Sequence, residues 1–298
     1  MPTAETGTPV DLEPGLWLVA AIGLCLPFSF VAVWRAVRWW LSGRPLPLPL
    51  EGAYPAIRWP PWYGLALFGA MLCLMFFVSS LYFEAADRGF LPWEPLKVPT
   101  TVSPAVFLAQ IFPALFGLWV VLRFGRGAAA TVGIRAGRAA AGIARGLAMV
   151  AAVLPMCVAV LLATAHLMQW AGLPIEPHPV LEDLATSRSP ALLAAALVQA
   201  SVLAPLAEEF TYRGVLMMSL LRRVGAGWAI AVSGAVFALL HFPLEPHSVP
   251  ALFLLGAALG YLAYRTRSLL AAVVAHSAFN TLMVLGTFFS AGCCAGGA

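Results

Sequence analysis

Long apolar blocks separated by short polar segments dominate this chain. Near-continuous apolar runs fall at residues 15–34, 62–83, 103–122, 147–170, 190–213, 228–243, 249–264 and 269–290. Most approach the ~20 residues that an α-helix needs to cross the hydrocarbon core of a bilayer. The pattern predicts an all-α fold, a polytopic transmembrane bundle of about eight helices.

Composition agrees with that reading. Of the 298 residues, 61% are hydrophobic and only 10% are charged. A water-soluble domain of this size could not hide so much apolar surface. The first fourteen residues carry Glu5, Asp11 and Glu13 and no Lys or Arg. A secretory signal peptide opens on positive charge, so the first apolar run is expected to be a retained helix behind a short polar tail, residues 1–14. The cysteines (Cys25, Cys73, Cys157, Cys293 and Cys294) form no CxxC or Cys/His metal spacing, and the three in apolar runs are expected to pack as small hydrophobes.

Charge sets a topology. Thirteen of the seventeen basic residues fall in alternate loops: Arg35–Arg58, Arg123–Arg145, Arg222–Arg223 and Arg265–Arg267. The opposite loops hold ten of the thirteen acids. The positive-inside rule then places both termini on the non-cytoplasmic side. The arginines are explained by topology, so the formal charge of +4 gives no reason to expect a nucleic-acid partner. The Ala/Gly/Arg-rich stretch 123–145 reads as an interfacial amphipathic helix or a plain loop on the cytoplasmic face. The stretch 174–190 reads as a polar outer loop that could cap something beneath it.

The first four spans, an N-terminal region over residues 15–170, contain almost no polar chemistry. The second half, residues 190–290, does. Ionisable groups at membrane depth are costly and usually functional, and here they fall in three helices: Glu208, Glu209 and Arg213; His241; and His276, with Asn280. Their heights agree. Glu208 lies seventeen residues before Gly225, the centre of the expected turn between the fifth and sixth spans, and His241 sixteen after it. In an antiparallel hairpin both sit roughly 20 Å above the turn. The last hairpin turns at Arg265–Ser268, which brings His276 and Asn280 to a similar level.

Spacing separates roles. Glu209 and Arg213 are four apart and share a helix face, so they can pair; Glu208 points away and has no local partner. His276 and Asn280 are four apart and project together. Pro205 removes a backbone hydrogen bond just before the glutamates, which predicts a bend there. A free carboxylate beside an imidazole can activate water as a general base, while a second imidazole and a carboxamide can donate to an oxyanion. Glu208, His241, His276 and Asn280 could instead hold a divalent metal such as Zn²⁺ with an open position. Both arrangements lead to hydrolysis of an amide bond.

These residues carry a family resemblance. EEFTYR (208–213) fits EExxxR, FALLH (237–241) fits FxxxH and HSAFN (276–280) fits HxxxN. In order and separation they resemble the CAAX-prenyl-protease and bacteriocin-processing (CPBP or Abi) family of intramembrane proteases, over roughly residues 190–290. The resemblance implies an α-helical membrane endopeptidase. Glu208 and His241 would activate water, His276 and Asn280 would stabilise the oxyanion or complete a metal site, and Glu209 and Arg213 would support them. It implies a peptide or protein substrate in or at the lipid bilayer, and the short loops suit a bacterial inner (plasma) membrane. HExxH and GxGD are absent, and Ser233-Gly234 lacks the first glycine of GxSG. An ion- or proton-coupled transporter and a non-catalytic immunity scaffold are the rival readings. His166 has no partner in the pattern and is expected to be structural or interfacial.

Overall fold

The structure, a computed structural model, describes residues 16–43, 60–88, 104–124, 139–175, 179–187, 189–242 and 245–290. The expected tail over residues 1–14 and the terminal cysteines lie outside these. Among the described residues every regular element is helical. The order is α1 (Leu16–Leu41), α2 (Pro61–Asp87), α3 (Pro104–Phe124), α4 (Ala139–Trp170), α5 (Pro179–Ser187), α6 (Pro190–Val198), α7 (Ala204–Glu208), α8 (Met218–Leu239), α9 (Val249–Thr266) and α10 (Leu269–Ser290). Two wide π-helical segments, Gln199–Leu203 and Glu209–Met217, link α6, α7 and α8 into one continuous rod. Gly225, with a φ of +76°, breaks the end of that rod into the expected hairpin, a conformation that glycine adopts without steric cost.

Six helices are long and apolar enough to span a membrane, and shorter apolar helices cover Phe107–Arg123 and Arg223–Leu239. Together they account for the eight expected segments, and the chain is a multi-pass membrane protein. The large exposed side chains are those of a lipid-facing surface: Leu24, Phe30, Phe77, Leu122 and Trp228 all stand outward. Trp62 and Trp170 are exposed at span ends, where tryptophan suits the interface.

Two sequence expectations need correction. The stretch 123–145 is not loop at its end. Its final residues, from Ala139, are already the first turns of α4, while 125–138 lie outside the described residues. Alanine favours helix, and Gly142 and Gly146 let α4 lie close against α10: a Cβ at Gly146 would fall 2.8 Å from the Ala271 carbonyl oxygen. The outer stretch 174–190 is likewise not simply a loop. Pro179–Ser187 is helical, with Val180 and Leu184 buried among Leu192, Ala196 and Val284. Apolar residues four apart define one face of a helix, and this one is covered by α6 and α10.

The core divides at the rod. On one side α4, α8, α9 and α10 enclose Leu154, Cys157, Met217, Leu259 and Ala272. On the other, α2 and α3 pack Phe68, Met71 and Val121 against Phe210, Tyr212 and Phe237. The rod therefore runs through the middle of the protein, with its polar residues between two apolar layers.

Candidate active site

The rod is irregular for a reason that lies in the sequence. Pro205 has no N–H, so it cannot satisfy a carbonyl one turn earlier. The Ala204 N–H bonds five residues back, to Gln199. Ala200 is then left without its usual donors: the N–H four residues on is committed to Gln199, and the residue five on is the proline. Asn280, on α10, supplies the missing donor; its Nδ2 reaches the Ala200 carbonyl at 2.7 Å. A hydrogen bond between residues eighty apart thus caps a defect created by proline.

Immediately after this segment come the two glutamates. Glu209 is fully buried and pairs with Arg213, whose Nη1 donates to Glu209 Oε1 at 2.8 Å; neither side chain has any exposed surface. Arg213 also donates from Nη2 to the Gly256 carbonyl at 3.1 Å, and its guanidinium carbon lies 4.7 Å from the Phe237 ring centre. Stacking on an aromatic face suits a planar cation that has left water. Oε2 of Glu209 and Nε of Arg213 are buried without hydrogen-bond partners among the described residues, so the pair is held by a single bond rather than a fork.

His276 enters this cluster from α10. Its Nδ1–H donates to the same Oε1 of Glu209 at 2.9 Å, and its Nε2 lies 3.8 Å from Oε2 of Glu208. One imidazole therefore stands between two carboxylates carried by consecutive residues. Spacing alone gives Glu208 no local partner, and the family resemblance pairs it in function with His241; the structure sets it opposite His276. The glutamates also differ in access. Glu208 keeps 20% of its side chain exposed, against none for Glu209.

His241 is half-buried at the end of α8. Its Nδ1–H donates to the Phe237 carbonyl at 2.9 Å, since a carbonyl can only accept. In the neutral ring Nε2 then carries the lone pair. The Phe237 ring lies 5.0 Å from the His241 ring and 5.7 Å from the His276 ring, so one phenyl group spaces both imidazoles. Phe237 opens the FxxxH motif, although the motif assigns it no role. Its signal was there: it sits four residues before His241 and so shares that helix face.

Asn280 donates from Nδ2 to the Ala200 carbonyl. His166 is exposed and bonds to the carbonyl of Leu162, four residues back. Ser233 is fully buried and donates to the Tyr212 carbonyl at 3.0 Å, a bond that ties α8 to the rod. The four residues considered as metal ligands are not arranged as a ligand set. Among the described residues no group of three His, Cys, Asp or Glu side chains is placed to hold a metal ion. The side chains as placed do not fit a divalent metal, and no chemical step below is routed through one.

The site belongs to a class, helical multi-pass membrane proteins with a charged cluster buried inside apolar spans. Residues 190–282 match the family described as type II CAAX prenyl endopeptidase Rce1-like, and this segment is a domain of that family. It is the family that the ordered EExxxR, FxxxH and HxxxN motifs resemble, and its description makes this segment a membrane protease domain of CAAX type. Comparisons with curated proteins and with solved structures give no match.

Proposed function

We propose that this protein is an intramembrane endopeptidase in which Glu208 activates water for attack on a peptide bond. The observation that carries the reading is the asymmetry around His276. On one side its Nδ1 is fixed by a fully buried Glu209–Arg213 pair, and on the other its Nε2 faces a carboxylate that keeps some access.

In this mechanism Glu208 takes a proton from water as the oxygen bonds to the scissile carbonyl carbon. The carbonyl oxygen gains negative charge, and a protonated imidazole nitrogen of His276 donates to it. The C–N bond then breaks, and the proton held by Glu208 passes to the leaving nitrogen. His241, with its Nδ1–H fixed by Phe237, offers Nε2 to orient the water. Glu209 and Arg213 hold the His276 ring in place without touching substrate. Asn280 acts at one remove, as a positioning residue that keeps the rod in register beneath Glu208.

The substrate is a peptide or protein at the bilayer, with a prenylated C-terminal CAAX segment as the first candidate from the family description. The charge distribution supports an orientation with both termini non-cytoplasmic, and the short loops suit a bacterial inner membrane. The test is cleavage of a peptide set with prenylated and plain CAAX ends by detergent-purified protein, with Glu208→Gln and chelator-treated samples in parallel. Cleavage that the Glu208→Gln protein retains would overturn the proposal.

A further inference from the structure

One helix contributes no titratable group to the cluster and yet is bonded to it. Arg213 donates from Nη2 to the carbonyl of Gly256, in the middle of α9. At that level α8 and α9 are in backbone contact. A Cβ at Gly256 would lie 3.0 Å from the Gly234 Cα, 3.2 Å from the Gly234 carbonyl oxygen and 3.1 Å from Cδ1 of Phe237. From the other side, a Cβ at Gly234 would lie 3.0 Å from the Ala257 nitrogen and 3.2 Å from the Gly256 carbonyl carbon. Most of these neighbours are backbone atoms, which cannot rotate away. Small residues permit such close crossings between membrane helices, and here the crossing also delivers a carbonyl to a buried guanidinium. That carbonyl, like any, has a second lone pair to offer beyond its helical bond.

We infer that the Gly234–Gly256 contact is a positioning device for the active site, setting the distance at which α9 holds Arg213 and hence the orientation of His276. The chain of contacts is continuous. Gly256 accepts from Arg213, Arg213 donates to Glu209, Glu209 accepts from His276, and His276 faces Glu208. Phe237 is pinned by the same crossing: it lies against Gly256, under Arg213 and beside both imidazoles. A single methyl group added at the crossing therefore disturbs the Arg213 bond and the aromatic spacer together. Gly260 provides the contrast. It packs against the same hairpin one turn further along α9, where an added Cβ would meet Cγ2 of Ile230 at 3.3 Å and Sδ of Met217 at 3.4 Å, and no bond to Arg213 is involved.

The kinetic arm of the test rests on the peptidase reading; the spectroscopic arm does not. Gly234→Ala, Gly256→Ala and Gly260→Ala are compared as full-length proteins in detergent. The first two are expected to lower kcat roughly 10- to 100-fold, the scale of one hydrogen bond to a charged group, with KM unchanged. In ¹⁵N-histidine-labelled protein they shift the His276 Nδ1 resonance, identified by its loss in His276→Asn. Gly260→Ala moves neither quantity. A wild-type His276 resonance in both Gly234→Ala and Gly256→Ala would overturn the inference. Equal effects from Gly260→Ala would do the same, because they would mark ordinary packing. Should the first two variants fail to fold, Arg213→Lys replaces them: its ammonium cannot serve Glu209 and Gly256 with a flat fork, and the same resonance must shift. Wild-type protein that cleaves nothing would count against the peptidase, while the His276 resonance would still decide the positioning role.

Discussion

Glu209 and His276, 67 residues apart, are joined at 2.9 Å through one carboxylate oxygen, and Arg213 takes that same oxygen at 2.8 Å. Two donors on one oxygen leave Glu209 committed and out of reach of water. In the mechanism proposed, the basic role then falls to its neighbour Glu208, which faces the far nitrogen of the same ring.

Replacement of the two glutamates should therefore separate stability from activity. Glu209→Gln removes a charge that Arg213 needs, and leaving a buried partner unpaired costs about 3–5 kcal/mol. Its unfolding in detergent, followed by circular dichroism, shifts accordingly. Glu208→Gln changes the partly exposed member, so the melting curve stays near wild type while cleavage falls by about 10²–10⁴, the usual span for a general base.

Arg213→Lys keeps the charge and still fails to substitute. Lysine offers a point charge, without the planar fork that reaches both Glu209 and the Gly256 carbonyl or the face that stacks on Phe237. The expected result is a folded protein destabilised by about 1.5–3 kcal/mol, the worth of one hydrogen bond to a charged group. A lysine variant as stable as wild type would show that charge alone matters at this position.

Asn280 and Pro205 should be coupled. Asn280→Ala strands the Ala200 carbonyl, at a cost of about 1–3 kcal/mol for a buried unsatisfied group. Pro205→Ala restores an N–H to the rod and gives that segment a backbone donor. The double variant is then less destabilised than the sum of the two single ones, by about 0.5–3 kcal/mol in a double-mutant cycle. Strict additivity would contradict the account of Asn280 as a cap on the proline defect.

Chelation gives a third kind of separation. With no three-ligand cluster among the described residues, cleavage is expected to survive EDTA and 1,10-phenanthroline. Activity lost on chelation and restored by added Zn²⁺ would require the side chains to regroup from the arrangement described.

Ser233→Ala should leave cleavage intact. The hydroxyl is bonded to the Tyr212 carbonyl and has no exposed surface, so its removal costs about 1 kcal/mol of stability and no chemistry.

The fold was legible because the spans are long and predominantly apolar, and hydrophobic thickness sets segment length directly. The start of α4 was less so: Ala139–Arg145 includes an arginine and small residues, and the close approach of Gly146 to α10 shows only in the packing. Within the site, the Glu209–Arg213 pair could be read from spacing because one helix determines it. The Glu209–His276 bond and the Asn280–Ala200 bond could not. Both depend on where α10 lies against the rod, and that follows from packing. The π-helical turns were hidden too. Pro205 predicted an interruption in the helix, but not that the chain would widen rather than kink.

That widening bears on how the rod tolerates change in length. A turn closed five residues back holds one residue more than a turn closed four back, so each π segment is equivalent to an insertion carried inside a helix. Deleting one residue between Gln199 and Leu203 would remove that extra residue and let the backbone relax to an ordinary α-helix, with the glutamates beyond it still near their present faces. The same deletion in a uniform helix has no extra residue to give up, and it turns everything beyond it by about 100°. Tolerance to single-residue deletion along the rod should therefore be greatest within its first wide segment.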